Sequence, residues 1–537
     1  MANGCPKVVG WLKTPYDLGR SLGGWNQKHM TLRDQQAPSV RVGGIRKSSL
    51  DKDLRKIERL EDATRAISRN RLAVGIALLF LATAGVLAST QIGFGQNSVL
   101  MIVAAVIGGY MALTIGANDV ANNVGPAVGA RALTMSGALI IAAIFECAGA
   151  LIAGGDVVET ISKGIIDPAL VPSAEVFVWV MMSALLASAL WVHLATFLGA
   201  PVSTTHAIVG GVLGAGVAAV GIGVVDWFVV SSIFFSWLMS PLIGGVVAAG
   251  FLAFIKVNLI YQEDKIAAAR RWVPVLVALL AAIFSAYLVS KGLKHVWTPG
   301  FFALATITIL VFALVYLAAK PWVRSQSEGM ENRNQGLRKL FHLPLICSAA
   351  LLSFAHGSND VANAVGPLAA ILNSASTGAL ASEVGVPFWV MLIGAVGISL
   401  GLFLFGPRIV RVVGEKITKM NPMRAFCVAL AAALTVLVAS QLGLPVSTTH
   451  IVVGAVFGVG FFREYYTTHS RRRRYYILTS SKRKQPLPAS LPDQDELHRR
   501  KLVRRSHFIG IVAAWAITVP SAAGLAALIF FAVDWMR

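Results

Sequence analysis

From residue 72 onward the chain alternates long apolar runs with short polar or basic stretches. A helix needs about 20 apolar residues to cross a bilayer. Runs that meet this length lie at 72–90, 98–116, 133–154, 176–196, 203–224, 227–255, 273–290 and 299–319, then at 341–355, 384–405, 425–442, 446–462 and 508–533. Inside a bilayer every backbone amide must be paired, which helices do within themselves. The pattern therefore predicts an all-α polytopic membrane protein of about 12–13 transmembrane helices. Gly-Pro pairs at 125–126 and 366–367 interrupt the apolar pattern and predict broken or re-entrant helices there.

Composition narrows the class. Hydrophobic residues make up 56% of the 537 and charged residues 14%, well under the roughly one quarter charged of soluble domains, which excludes a soluble enzyme. The formal charge of +21 would suit a nucleic-acid binder, but the basic residues sit between apolar runs. Residues 1–71 hold 15 basic and 7 acidic side chains, residues 463–506 hold 13 and 4, and most others fall in 256–271, 320–339 and 408–424. This is the distribution of cytoplasmic loops, with no nucleic-acid partner implied. If all five segments lie on one side, the number of crossings between successive ones must be even, and the count of runs supplies six, two, two and two. The N-terminus is then cytoplasmic. Cys5, Cys147, Cys347 and Cys427 have no CxxC spacing, so neither a disulfide framework nor a zinc site is indicated.

The chain contains an internal duplication. Residues 116–126 read GANDVANNVGP and 357–367 read GSNDVANAVGP, identical at nine of eleven positions, and PVSTTH occurs at both 201–206 and 445–450. Asn118 precedes Ser203 by 85 residues and Asn359 precedes Ser447 by 88, so two motifs recur in the same order at nearly equal spacing. By the crossing count the first NDVAN follows a span running inward and the second a span running outward, which makes the repeats inverted in topology. The expected organisation is a polar N-terminal extension at 1–71, a first transmembrane repeat at 72–260, linking spans and a loop at 261–340, a second repeat at 341–462, a basic loop at 463–506 and a last helix at 507–537.

The repeated motifs carry the polar atoms of the apolar spans. Asn118, Asp119, Asn122 and Glu146 lie in the first half, and Asn359, Asp360 and Asn363 in the second. A carboxylate at membrane depth is costly unless paired or hydrated and marks an ion or substrate path. Amide oxygens, carboxylates and freed carbonyls form a hard-oxygen set suited to Na⁺, or to a proton on the Asp, and not to a transition metal. The Ser-Thr-Thr run after Pro places hydroxyls and free amides at a helix N-terminus, where an anion is favoured. The alternative for that motif is plain Ser/Thr capping. A small tetrahedral oxyanion held between two such termini, with no Lys or Arg in reach, needs a co-bound cation, which predicts symport. His206 and His450 end the PVSTTH motifs, and His356 precedes the second NDVAN where the first has Ile115; these histidines read as structural. Ser203 with His206 lacks an acid to complete a triad, which argues against an enzyme.

GANDVANNVGPAVGA, SFAHGSNDVANAVGPL and the two PVSTTH segments resemble the signatures of the inorganic phosphate transporter (PiT) family, in its bacterial type, over roughly residues 98–462 and on into the last span. The resemblance implies a homodimeric secondary transporter of inorganic phosphate, taken up free or with a divalent metal, driven by Na⁺ or H⁺, and using no other cofactor. Beyond the bilayer itself it implies no further partner, and it places the protein in the plasma membrane (the inner membrane of a Gram-negative cell). By position it assigns phosphate to Asn118, Asp119, Ser203, Thr204, Thr205, Asn359, Asp360, Ser447, Thr448 and Thr449. The coupling cation falls to Asp119, Asn122, Glu146, Asp360 and Asn363. Sodium-coupled animal members carry a second glutamate where this chain has Ala429, so cation identity stays open. A sulfate permease of the same fold is the nearest alternative, and a passive anion channel the next.

Overall fold

The computed structural model describes residues 71–536 except 94, 96, 293–296, 379–384, 417–419 and 481–504. Residues 71–537 form one compact unit. The extension expected at 1–71 lies, but for Arg71, outside the described residues, as does most of the basic loop.

The described residues are helical nearly throughout. In order come α1 (Arg71–Ile92), α2 (Ser98–Gly129), α3 (Met135–Ala153), a short α4 (Gly155–Lys163), α5 (Ala174–Leu198), α6 (Thr204–Val220), α7 (Trp227–Ile255), α8 (Lys265–Tyr287) and α9 (Phe301–Gln326). The second half has α10 (Asn334–Leu340), α11 (His342–Asp360), α12 (Ala362–Thr377), α13 (Phe388–Lys416), α14 (Pro422–Gln441), α15 (Thr448–His469), α16 (Arg471–Ser480) and α17 (Arg505–Met536). Among the described residues ten helices are long and apolar enough to cross a membrane, and α10 with α11–α12 forms a further apolar pair bent by 41°, a broken span or a re-entrant loop. Two of the expected runs fall outside this set. At 17 residues α6 is about 26 Å long, short of the roughly 30 Å of a hydrocarbon core, and α15 carries polar and charged residues in its last turns. The basic segment at 463–506 begins as helix, since α15 runs through His469 and α16 follows at once.

Both PVSTTH turns are punctuated alike. Gly199 ends α5 at φ 74° and Gly443 follows α14 at φ 67°, the left-handed conformation in which glycine is unstrained. Pro201 and Pro445 then sit in extended segments, and Ser203 and Ser447 cap the next helix by accepting from the amides of His206 (3.1 Å) and His450 (3.3 Å). The NDVAN segments behave differently from the expected break. Pro126 lies inside α2 and Pro367 inside α12, and each helix continues past its proline. Each ring still withdraws the amide that would close on the carbonyl four residues back, that of Asn122 or Asn363. In the second copy Val361 stands between α11 and α12, yet its dihedrals are helical (φ −58°, ψ −31°) and the two run on as one helix.

The two repeats interlock instead of standing side by side. α2 packs along α13, α3 along α11, α6 along α17 and α7 along α15. Each of the two large apolar clusters draws on both repeats: Ile161 and Met181 pack with Val361 and Ile371 in one, Leu252 with Phe426 and Ile451 in the other. Gly149 and Gly357 let α3 and α11 touch backbone to backbone, because a Cβ on Gly357 would stand 2.1 Å from the Glu146 carbonyl oxygen. α9 differs from all of these: none of its most apolar stretch is buried, and Phe301, Phe302, Leu310 and Leu314 are exposed.

Candidate functional site

The duplicated motifs converge. Asn118, Asp119, Asn122, Ser203, Thr204, Thr205, Asn359, Asp360, Asn363, Ser447, Thr448 and Thr449 are each at most 2% exposed, and Glu146 is fully buried. Within each repeat the first threonine of the capped helix donates to the aspartate of the NDVAN helix: Thr204 Oγ1 to Asp119 Oδ2 at 2.8 Å, and Thr448 Oγ1 to Asp360 Oδ2 at 2.9 Å. Between repeats the amides cross over. Asn122 Nδ2 donates to Thr449 Oγ1 at 2.8 Å, and Asn363 Nδ2 to Thr205 Oγ1 at 3.2 Å. Thr449 Oγ1 also lies 3.0 Å from Asp119 Oδ1 and 3.3 Å from the Val202 carbonyl, while Thr205 Oγ1 donates to the Val446 carbonyl at 3.1 Å. Nearly every contact thus has its counterpart with the repeats exchanged, the geometry of a local two-fold axis.

Asn118 and Asn359 brace the turns. Asn118 donates to Thr196 Oγ1 (2.9 Å) and the Ala200 carbonyl (3.2 Å) and accepts from the Val202 amide (3.1 Å). Asn359 donates to Ser440 Oγ (3.0 Å) and the Leu444 carbonyl (3.2 Å). Ser203 and Ser447 use a lone pair for capping, which leaves each hydroxyl proton to donate elsewhere. Several buried oxygens, Asp360 Oδ1, Asn363 Oδ1, Asn359 Oδ1, Asn123 Oδ1 and Glu146 Oε2, receive no hydrogen bond. A set of acceptors lacking donors matches what a hard cation requires of its ligands.

Two features of the site escaped the sequence reading. His356, expected to be structural, stands among three carboxylates: Nε2 is 2.8 Å from Asp360 Oδ2 and 3.8 Å from Asp119 Oδ2, and Nδ1 is 3.5 Å from Glu146 Oε2. Asp119, His356 and Asp360 each bring one ligand atom within 4.8 Å of the others. Asn123, which has Ala364 as its counterpart, donates to Glu146 Oε1. The second feature is a column of four rings. His206 packs on Trp237 (3.8 Å between centroids), His450 on Trp515 (3.6 Å), and the two imidazoles meet edge to face at 4.3 Å. Trp237 Nε1 donates to the Pro445 carbonyl at 3.1 Å, so the column also holds the second turn. The tryptophans lie on α7 and α17, at unequal distances from their histidines, and no spacing rule could have joined them. Ala429 is fully buried in α14, among apolar side chains.

Comparison with known proteins agrees on one family. The model of the phosphate transporter family matches residues 115–526. A Helicobacter pylori (strain J99) protein named "Putative phosphate permease" is 44% identical, with 90% of this chain and 99% of that protein aligned. A Chlamydia trachomatis protein of the same name is 39% identical over 68% of this chain and 90% of its own length. A solved structure described as the sodium-dependent phosphate transporter superposes with a TM-score of 0.70 at 34% identity, covering 82% of this chain and all of that one.

Proposed function

The chain belongs to the phosphate transporter family, a family of multi-pass membrane transporters and not enzymes, and we propose that it imports inorganic phosphate by symport with Na⁺ or H⁺. The observation that carries this reading is the exchange-symmetric network in which Asp119 and Asp360 accept from Thr204 and Thr448. Phosphate at pH 7 carries protons that these carboxylates can accept, which a fully ionised sulfate lacks. The free amides at the N-termini of α6 and α15 take the anion's charge. The coupling cation takes the undonated oxygens of Asp360, Asn363 and Glu146. The relative described as sodium-dependent favours Na⁺, while Ala429 leaves H⁺ in play. The repeats are inverted in this reading, the N-terminus is cytoplasmic and the membrane is the plasma membrane. The burial of the whole site makes this an occluded arrangement, which opens to either side as the two capped helices move against α2 and α11–α12.

Radiolabelled phosphate uptake into proteoliposomes, with a sodium gradient and a pH gradient imposed separately, tests the proposal. Uptake under at least one gradient, inhibited by arsenate and not by sulfate, is the expected result. Gradient-independent flux would instead indicate a channel, and sulfate inhibition the sulfate carrier. In the same assay Ser447→Ala should raise the phosphate KM about five- to tenfold, the loss of one desolvated hydrogen bond of about 1 kcal/mol. An unchanged KM with a lowered melting temperature would reduce Ser447 to its helix cap.

A further inference from the structure

Two hydrogen bonds at the PVSTTH turns have no counterpart when the repeats are exchanged. The peptide joining Pro201 to Val202 donates its N–H to Asn118 Oδ1 at 3.1 Å. The peptide joining Pro445 to Val446 uses its carbonyl instead, which accepts from Trp237 Nε1 at 3.1 Å. Exchange maps Asn118 on Asn359 and Trp237 on Trp515. The asparagines match in their other bonds: Asn118 donates to Thr196 and the Ala200 carbonyl as Asn359 donates to Ser440 and the Leu444 carbonyl. The tryptophans match in their stacking, for Trp237 lies on His206 and Trp515 on His450 at the same interplanar angle of 34°. The counterpart bonds would run from the Val446 amide to Asn359 Oδ1 and from Trp515 Nε1 to the Pro201 carbonyl. Asn359 Oδ1 and Trp515 Nε1 are both buried with no hydrogen-bond partner among the described residues. These two orphaned atoms are the two missing halves of the pattern.

An indole N–H and an amide oxygen left unpaired in the interior are costly. A second arrangement, with the roles of the turns exchanged, pairs both. It breaks the two bonds made here and forms two of the same kind, so the change is close to neutral, as alternating access between such repeats requires. The turns are also tied to each other. Thr205 Oγ1 donates to the Val446 carbonyl at 3.1 Å and Thr449 Oγ1 to the Val202 carbonyl at 3.3 Å, and the His206 and His450 rings meet at 4.3 Å. We propose that Trp237 and Trp515 are positioning residues for transport, each latching one PVSTTH turn in one of two end states. In this structure Trp237 latches the second turn while Asn118 holds the first. In the other state Trp515 takes the Pro201 carbonyl and Asn359 takes the Val446 amide. Ser203 and Ser447 follow these peptides directly, so each switch re-aims a capped helix N-terminus. This role deepens the transport reading above and rests on it.

Residue-resolved hydrogen exchange on the full chain in detergent tests the latches without any uptake. The Val202 amide is bonded in this state and released in the other, and the Val446 amide the reverse. The ratio of their exchange rates therefore reports the balance between states. Trp237→Phe and Trp515→Phe each keep a ring against the histidine and remove the N–H. Trp237→Phe should raise the Val202-to-Val446 ratio about three- to tenfold, the shift set by one net hydrogen bond. Trp515→Phe should lower it by a similar factor, and the double variant should return it to within about twofold of wild type. A bond that is merely structural would act the other way in Trp237→Phe, loosening the second turn alone, and would leave the ratio unchanged in Trp515→Phe. Either of those results, or shifts in the same direction, would overturn the proposal. Trp515→Phe decides alone if Trp237→Phe does not fold, since it removes a donor that has no partner in this state. Phosphate uptake by the wild type is scored separately. A ratio that moves in a protein without uptake removes the transport reading, and uptake with a fixed ratio removes the latches alone.

Discussion

Asp119→Asn and Asp360→Asn should each abolish driven phosphate uptake while leaving a folded protein. Asp119 accepts from Thr204, Thr449 and Asn122, and Asp360 accepts from Thr448 beside His356. Asparagine has the same shape, and threonine hydroxyls can turn to accept from its amide, so packing and the capped helices survive. The charge does not. Hydrogen bonds to a charged group are worth about 1.5–3 kcal/mol, and in the proposed site losing the charge would also remove a cation ligand and the acceptor for a phosphate proton. A loss of about 3 kcal/mol at the rate-limiting barrier means uptake reduced at least about 100-fold. The check is uptake per reconstituted molecule, with melting temperatures showing that both variants fold. Near-normal uptake by both would remove the aspartates from the transport path.

The same pairs show how far the sequence could be read. The duplication supplied the logic: an Asp and a Thr kept in both copies at nearly equal spacing are brought together in both copies. The Gly-x-Pro-x-Ser punctuation at Gly199–Ser203 and Gly443–Ser447 is equally local, and both turns form as their residues dictate. What the duplication lacks, sequence reasoning missed. His356 faces Ile115 across the repeat and Asn123 faces Ala364, so neither shows as a matched pair. Their roles come from α3, whose Glu146 reaches them only because Gly149 and Gly357 allow backbone contact. The Gly-Pro pairs misled in another way. A proline in a buried helix costs one hydrogen bond, and neighbouring helices absorb that cost, so α2 runs on through Pro126. Hydropathy likewise could not distinguish a full crossing from α6, which starts inside the fold at Thr204 and ends after 17 residues.

His356→Leu should be the most damaging single change in the core. Its imidazole is fully buried and lies within 4 Å of carboxylates on α2, α3 and α11, so its removal leaves Asp119, Glu146 and Asp360 facing one another. Breaking one buried charge pair costs about 3–5 kcal/mol, and this histidine serves three partners. If the cluster acts as a unit, deleting a second member must relieve part of that cost. Glu146→Gln/His356→Leu is therefore expected to be more stable than the sum of its single variants by about 1–3 kcal/mol. Unfolding of all four proteins in mixed micelles measures the cycle. Additivity within about 0.5 kcal/mol would mean that His356 and Glu146 are only neighbours. Strong coupling has a mechanical consequence. His356 belongs to the second repeat and Glu146 and Asp119 to the first, so any sliding of α11 along α3 changes how these charges are compensated. Under the proposed symport, a cation or proton entering among them would favour one relative position of the repeats over the other.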